Sequence, residues 1–185
     1  HAFDYGHSYM TAIFNAPDDP LSQQYFESLA AKVGEDRAEE ILAVNRHNTI
    51  IYPSCSPHTS FQQWRVIRPL SVDRTLVEIF TFRLGGAPDE LLQRTFTYAN
   101  VVNSPSSIVM TDDVHVYAEC QKGLSTQGGD WVSQHRNAGQ DQPYSGSEGG
   151  LIGVGTSELP IRNQFRAWHE YMSGGSGQSV SPETS

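Results

Sequence analysis

The sequence predicts an α+β domain, an antiparallel sheet with helices packed on it, and three observations support this class. Two apolar segments, 61–70 and 75–84, are separated only by the turn SVDR. Because that loop is far too short for a parallel crossover, the two segments form an antiparallel hairpin. Segments with the apolar spacing of helices lie on both sides of the hairpin. The length of 185 residues is that of one domain or of a piece of a larger protein.

The part before the hairpin is predicted to contain an extended segment, two helices and a short strand. Residues 1–14 have the loose alternation of a strand, and residues 21–33 have helical spacing. Gly34 ends this helix, and a second helix begins near Glu35. Residues 48–54 form the short strand. The apolar positions of the two helices are Phe26, Leu29, Ala30, Val33, Ala38, Ile41 and Leu42.

The returning strand of the hairpin is predicted to be central in the sheet. Apolar side chains occupy both of its faces, which is typical of strands covered on both sides. Pro88 then marks the first position of a third helix, whose apolar residues are Leu92, Phe96 and Ala99.

The segment SSIVMTDDVHVYAECQKGL, residues 106–124, is predicted to be a helix capped by Asn103 or Ser104. Its apolar stripe consists of Val109, Val116, Cys120 and Leu124. Asp113 lies inside this stripe and Asp112 lies at its edge. A buried carboxylate is costly unless it is paired or bound to metal. Asp113 is therefore a structural paired acid, a metal ligand or a general base with a raised pKa, and the helical phase does not separate these roles.

The C-terminal third is predicted to hold a long loop, a last helix and a tail. Residues 125–150 are rich in Gly, Gln, Ser and Asp, and long loops of this kind are usually functional or mobile. Residues 158–172 form the helix, and residues 173–185 form a flexible tail. The stripe of this last helix consists of Ile161, Phe165, Trp168 and Met172.

Composition limits the range of partners. The net charge of −9 disfavours binding to nucleic acid, because an acidic surface repels phosphates. No stretch approaches the roughly 20 apolar residues of a membrane span. Cys55 and Cys120 are interpreted as reduced, buried thiols of a cytoplasmic protein. The pair Cys55-x-x-His58 is only half of a zinc site, and Asp4-x-x-His7 lacks a further histidine at helical spacing.

The order of four segments resembles the large (α) subunit of Rieske-type aromatic-ring-hydroxylating dioxygenases. These segments are NTIIYPS, WRVIRPLSVDRTLVEIFTF, NSPSSIVMTDDVHVYAECQKGL and GTSELPIRNQFRAWHEYM, and the resemblance covers most of residues 1–172. The most specific piece is the acid pair followed by the helix that ends in QKGL. The resemblance implies a helix-grip (Bet v 1/START-like) fold, a curved antiparallel sheet under a long helix, here incomplete at the N-terminus. Residues 1–172 would then be the C-terminal part of the catalytic, mononuclear-iron domain.

The resemblance also implies a mononuclear iron(II) held by two histidines and one aspartate. The second acid of the DD pair, Asp113, is the implied carboxylate ligand. The family's two histidines belong to an Asp-x-x-His-x-x-x-x-His segment that this sequence does not contain. The family's [2Fe–2S] Rieske cluster belongs to another domain. The two cysteines of this sequence cannot supply the ligands of that cluster. The chain by itself is therefore expected to be inactive.

The implied substrate cavity is lined by Arg46, Asn48, His58, Asn103 and Val109. Arg46 and His58 suggest a polar aromatic substrate, an aromatic carboxylate or a phenol, whose anion would pair with a cation. The implied partners are O₂, an NAD-linked ferredoxin or reductase, and an α-subunit trimer with or without a small β subunit. The rival hypothesis is a helix-grip binding module that carries an apolar or aromatic small molecule without chemistry, in which Asp113 is a paired structural acid.

Overall fold

A computed structural model describes the chain over residues 1–11, 18–44, 46–58, 61–129, 131–146 and 149–174. Within these ranges it contains five α-helices and seven short strands. The helices are α1 (Pro20–Val33), α2 (Glu35–Leu42), α3 (Asp89–Val102), α4 (Ile108–Leu124) and α5 (Leu159–Met172). The strands are β1 (Ser8–Thr11), β2 (Arg46–Ile50), β3 (Cys55–His58), β4 (Gln63–Ser71), β5 (Arg74–Thr81), β6 (Gln142–Pro143) and β7 (Leu151–Ile152).

The strands form short antiparallel sheets that isolated bridges join. β1 pairs with β2, β3 to β5 pair in sequence order, and β6 pairs with β7. A bridge between Ile51 and Cys55 connects the end of β2 to β3. Ala2 bridges both Ser8 and Leu151, which connects β1 to β7. Every pairing in the described part is antiparallel, so the α+β class predicted from the hairpin is confirmed.

The β4–β5 hairpin is confirmed, but the central position predicted for β5 is wrong. Ser71 pairs with Arg74 across the turn. β5 is the outer strand of the order β3–β4–β5, and β3, which the sequence did not predict, lies at the other edge. The exposed apolar residues of β5 are Leu76, Val77 and Phe80. Apolar residues on both faces therefore did not indicate coverage by the described part of this chain.

The two N-terminal helices lie where the sequence places them but bury less than expected. Gly34 follows α1 with a φ of +89°, a left-handed conformation that favours glycine and ends the helix. No residue of α1 is buried. In α2, Ala38 is buried, whereas Ile41 and Leu42 are exposed.

The buried face of α3 and the first residues of α3 and α4 differ from the predicted ones. α3 buries Leu91, Thr95 and Ala99, whereas Phe96 is exposed. Pro88 is the N-cap of α3 rather than its first helical residue. The chain turns again before α4, which therefore begins at Ile108 and not after the predicted cap. Ser107 caps α4, since its hydroxyl accepts hydrogen bonds from the backbone N–H groups of Val109 and Met110.

The packed face of α5 is the opposite of the predicted one. Buried Asn163 donates hydrogen bonds from its amide to the carbonyls of Phe3 and His7. Gly6 has a φ of +83°, and a Cβ built there would lie 2.9 Å from the Cβ of Ala167. Small and polar residues therefore allow the N-terminal turn to approach α5. The predicted stripe is exposed instead: Ile161, Phe165, Trp168 and Met172.

The long loop after α4 is attached to α5 by a largely buried ion pair. Within the described residues of this loop, regular structure is limited to a short 3-10 turn at Gln127–Gly129 and the two residues of β6. Arg162 on α5 donates a hydrogen bond of 2.6 Å to Asp141 in the second half of the loop. The predicted tail lies outside the described residues from position 175 onward.

Candidate metal and substrate site

Asp113 lies on α4 as a half-buried carboxylate, whereas its neighbour Asp112 is exposed. The helical phase therefore ranked the two acids correctly. Burial of the whole stripe, however, is wrong, because no residue of α4 is buried. The exposed stripe residues are Val109, Val116, Cys120 and Leu124. The reason is that no described element covers this face of the helix.

No hydrogen bond or ion pair to Asp113 occurs among the described residues. If Asp113 were a paired structural acid, its partner would have to lie outside this part of the chain. The described residues also contain no group of three His, Cys, Asp or Glu side chains that could hold a metal ion. An unpaired carboxylate oxygen suits iron as one ligand, but one carboxylate does not make a site. Asp113 thus fits an iron centre only together with ligands that the described residues do not supply.

Three of the five predicted substrate residues, Arg46, Asn48 and His58, lie close together where β2 begins and β3 ends. His58 is buried, and its Nε2 lies 3.3 Å from Oδ1 of Asn48. The amide of Asn48 also contacts the sulfur of Met10 at 3.8 Å. The ring of His47 lies edge-on to that of His58, with centroids 4.8 Å apart. Arg46 precedes these residues on β2, and its guanidinium lies 4.5 Å from the ring centre of Tyr9.

Aromatic rings that the sequence did not predict extend this cluster towards α3. Phe61 stacks on His58 with centroids 5.2 Å apart, and on Tyr98 of α3 with centroids 4.4 Å apart. Three rings from separate elements therefore form one continuous stack. No pattern in the sequence indicated this stack, because β3 was not predicted and Tyr98 is not part of the predicted apolar stripe of α3.

Asn103 and Val109 lie elsewhere. Asn103 lines an open groove of about 450 Å³ between the end of α3 and α4, and its buried Oδ1 has no hydrogen-bond partner. Val109 is exposed and does not line this groove. The other lining residues are Pro105, Met110, Thr111, Val114, His115 and Ala118. The groove shares no lining residue with the His58 cluster, so the five predicted residues do not form one cavity within the described part.

Burial lowers the pKa of His58 from 6.5 to about 4, and the charges of Arg65 and His47 act in the same direction. His58 is therefore neutral at pH 7 in the folded protein. It can form a hydrogen bond with Asn48, but it does not supply the cation that the sequence suggested for an anionic substrate.

This lowered pKa predicts that the protein loses stability between pH 6.5 and pH 4. In that window the unfolded chain binds a proton at residue 58 that the folded protein does not bind. The stability is fully present above pH 6.5. We expect His58 to account for a loss of roughly 2 kcal/mol between pH 7 and pH 5. Urea unfolding at the two pH values should show this loss in the parent and not in His58→Gln.

The exposed histidine on α5 gives the matched control. His169→Gln should retain the parent's loss of stability between the two pH values. An equal loss in parent and His58→Gln would contradict the assignment, and so would an NMR titration of His58 with a midpoint near 6.5.

Two further sequence-based expectations concern the cysteines and the membrane. Cys55 and Cys120 are unpaired, as expected, but Cys120 is exposed rather than buried. Within the described ranges, no helix has both the length and the apolar character that crossing a bilayer requires.

Comparison with known proteins identifies relatives of one kind. The chain is 32% identical over 130 residues to the α subunit of toluate 1,2-dioxygenase from Pseudomonas putida, a match that covers 69% of this chain and 28% of the relative. It is 29% identical over 140 residues to the large subunit of 2-halobenzoate 1,2-dioxygenase from Burkholderia cepacia, which covers 75% and 30%. The chain thus spans less than a third of the length of these curated relatives. No family model matches it.

Solved structures agree on the fold. A naphthalene 1,2-dioxygenase variant bound to phenanthrene has a TM-score of 0.65 at 21% identity, covering 82% of this chain and 34% of that one. Naphthalene 1,2-dioxygenase with indole in its active site has a TM-score of 0.66 at 19% identity, with the same coverage. The mixed α+β fold is therefore that of naphthalene dioxygenase chains. The resemblance in segment order is confirmed: the homologues of this chain are large subunits of aromatic-ring 1,2-dioxygenases.

Proposed function

We propose that the full-length protein is the oxygenase component of an aromatic-ring-hydroxylating dioxygenase. The observation that carries this proposal is the identity of 32% over 130 residues with the toluate 1,2-dioxygenase α subunit. Residues 1–172 would belong to the catalytic domain. The reaction is the insertion of O₂-derived oxygen into an aromatic ring, a step in the breakdown of aromatic compounds.

In this proposal Asp113 is the carboxylate ligand of a mononuclear iron. Its side chain is half-buried and makes no hydrogen bond or ion pair within the described residues, which supports the role. Two histidines that the described residues do not supply complete the ligand set. When bound, the iron supplies the activation of oxygen, and this chain positions the ligand and the substrate. Arg46, Asn48, His58, Asn103 and Val109 remain the proposed substrate-binding residues.

The proposed substrate is a substituted benzoate. Toluate and 2-halobenzoate, the compounds in the names of the two relatives, are both aromatic carboxylates. The cluster around His58, where β2 begins and β3 ends, has both features that such a compound needs. Stacked rings of Phe61 and Tyr98 offer an aromatic surface, and arginines lie nearby on β2 and β4.

The proposed partners follow from the same family. Electrons would come from NADH through a reductase or ferredoxin and a [2Fe–2S] Rieske cluster. Large subunits would assemble as a trimer, with or without a small β subunit. The two unpaired cysteines are consistent with a cytoplasmic location, which is part of this proposal.

The test is turnover by the full reading frame, expressed and supplied with an electron donor. We expect O₂ uptake with methyl- and halobenzoates that is coupled to NADH oxidation and to a hydroxylated product. Purified protein should contain mononuclear iron and acid-labile sulfide. Binding of an aromatic acid with neither iron nor O₂ uptake would contradict the oxygenase and support the binding module.

A further inference from the structure

Arg65 is a half-buried arginine to which the described residues supply no acid. It lies within β4, and its Nε is buried without a hydrogen-bond partner. No hydrogen bond or ion pair to Arg65 occurs in the described ranges, whereas Arg68 on the same strand pairs with Glu78 at 2.5 Å. A buried donor without an acceptor is costly, and a guanidinium binds most strongly to an anionic acceptor. The buried Nε of Arg65 therefore calls for an acceptor, most favourably an anion, from outside the described residues.

A second unsatisfied donor lies on the same face of β4. Gln63 is 1% exposed, and its Nε2 has no hydrogen-bond partner. Residues two apart on a strand point to the same side, so Gln63 and Arg65 share a face. Their cross-strand partners on β3, His58 and Ser56, are both buried. Two adjacent donors thus lack acceptors at a buried surface.

The acid of the hairpin lies on the other face. Glu78 pairs with Val66, which follows Arg65 and therefore points to the opposite side of the sheet. The β5 partners of Gln63 and Arg65 are Thr81 and Ile79, and neither is acidic. Among the described residues, the shared face of β4 therefore carries a positive charge that no acid pairs with.

Aromatic rings border this positive face. Phe61 stacks between His58 and Tyr98. The charge of Arg65 acts on both outer members of this stack: it adds to burial in lowering the pKa of His58, and it opposes the rise that burial causes in the pKa of Tyr98. The register agrees, because His58 lies opposite Gln63 on the face of the sheet that Arg65 shares, so the stack lies on the same face as Arg65. An aromatic carboxylate, which joins a flat ring to an anion, matches a cation beside such a stack.

We propose that Arg65, assisted by Gln63, binds the carboxylate of the aromatic acid on which the proposed oxygenase acts. Phe61 and Tyr98 form the neighbouring aromatic surface. The proposal rests on the proposed function and adds Arg65 to its substrate-binding residues, as the cation that meets the carboxylate. Arg46 lies over the Tyr9 ring and has a further interaction, so its charge is already engaged.

The experiment measures ligand binding by the full-length, iron-loaded protein without O₂. Calorimetry compares benzoate with benzamide, which has the same ring and no charge. In Arg65→Met the affinity for benzoate should fall at least about thirtyfold, because a buried charge pair loses one partner. The affinity for benzamide should stay within about threefold. Arg65→Lys should restore part of the difference, since it returns the charge without the planar donors.

An arginine on the same strand gives the matched control. Arg68→Met removes a cation from the opposite face of β4, and it should retain the preference for benzoate over benzamide within about threefold. Circular dichroism checks the fold of each variant, and Arg65→Gln replaces Arg65→Met if the apolar side chain disturbs it. An equal loss of both ligands in the Arg65 variants, or a selective loss of benzoate in Arg68→Met, would overturn the proposal.

The outcomes also separate this proposal from the proposed function. A protein that hydroxylates neutral arenes but does not bind benzoates would overturn the Arg65 site and leave the oxygenase. A protein that binds benzoate through Arg65 but takes up no O₂ would overturn the oxygenase and leave the site.

Discussion

Asp113→Ala in the full-length protein is expected to lose its mononuclear iron and its ring hydroxylation while the [2Fe–2S] cluster remains. The half-buried carboxylate is the only proposed iron ligand on this chain. Substituting a residue that hydrogen-bonds to a metal ligand typically costs about 10- to 100-fold in metal affinity or activity. Loss of the ligand itself should therefore cost at least about 100-fold. Iron analysis together with the visible spectrum of the cluster measures both effects in one sample.

The neighbouring acid provides the control for this prediction. Asp112→Ala removes the same charge from the same turn of α4 at an exposed position. It should retain its iron and most of its activity. Iron that survives in Asp113→Ala, or disappears equally in both variants, would show that Asp113 is not the ligand.

Breaking the largely buried ion pair between Arg162 and Asp141 should produce the largest loss of stability. The two side chains are 17% and 12% exposed and lie 2.6 Å apart. Arg162 also donates to the carbonyls of Gln134 and Arg136, so it connects α5 to the long loop. Asp141→Asn leaves a largely buried guanidinium without its anion, which should cost about 3 kcal/mol of unfolding free energy. Urea unfolding of the full-length protein measures this cost.

An exposed ion pair and a double variant complete the test. Arg37 and Glu40 are both more than half exposed, so Arg37→Met should change the unfolding free energy by less than about 1 kcal/mol. Asp141→Asn combined with Arg162→Met should be less destabilising than the sum of the single variants, because neither charge is then left alone. Additive losses would argue against a coupled pair.

The sequence predicted elements well where the signal was local. The turn between 70 and 75 fixes the antiparallel hairpin, because loop length alone excludes a crossover. Gly34 ends α1 because few other residues adopt its backbone conformation. The order of segments was enough to recognise the dioxygenase large subunits that comparison confirms. Helical phase, which depends only on the spacing of residues, correctly predicted that Asp113 is more buried than Asp112.

The sequence failed where the answer depended on which face is covered. The apolar stripe of α5, with Phe165 58% exposed, points away from the described core, while Asn163 and Ala167 pack inward. Spacing identifies an apolar face, but it cannot show whether this chain or another surface covers it. The stripe of α4 and the apolar faces of β5 failed for the same reason.

The candidate site shows the same division. Residue types and order alone determined the kind of protein, the acid that would bind iron and the expectation of a polar aromatic substrate. Only the tertiary structure placed His58, Phe61 and Tyr98 in one stack and left Arg65 without a partner acid among the described residues. The physical reason is that burial and pairing are properties of contacts between distant segments. A strand's own alternation of residues does not record which of its faces meets water.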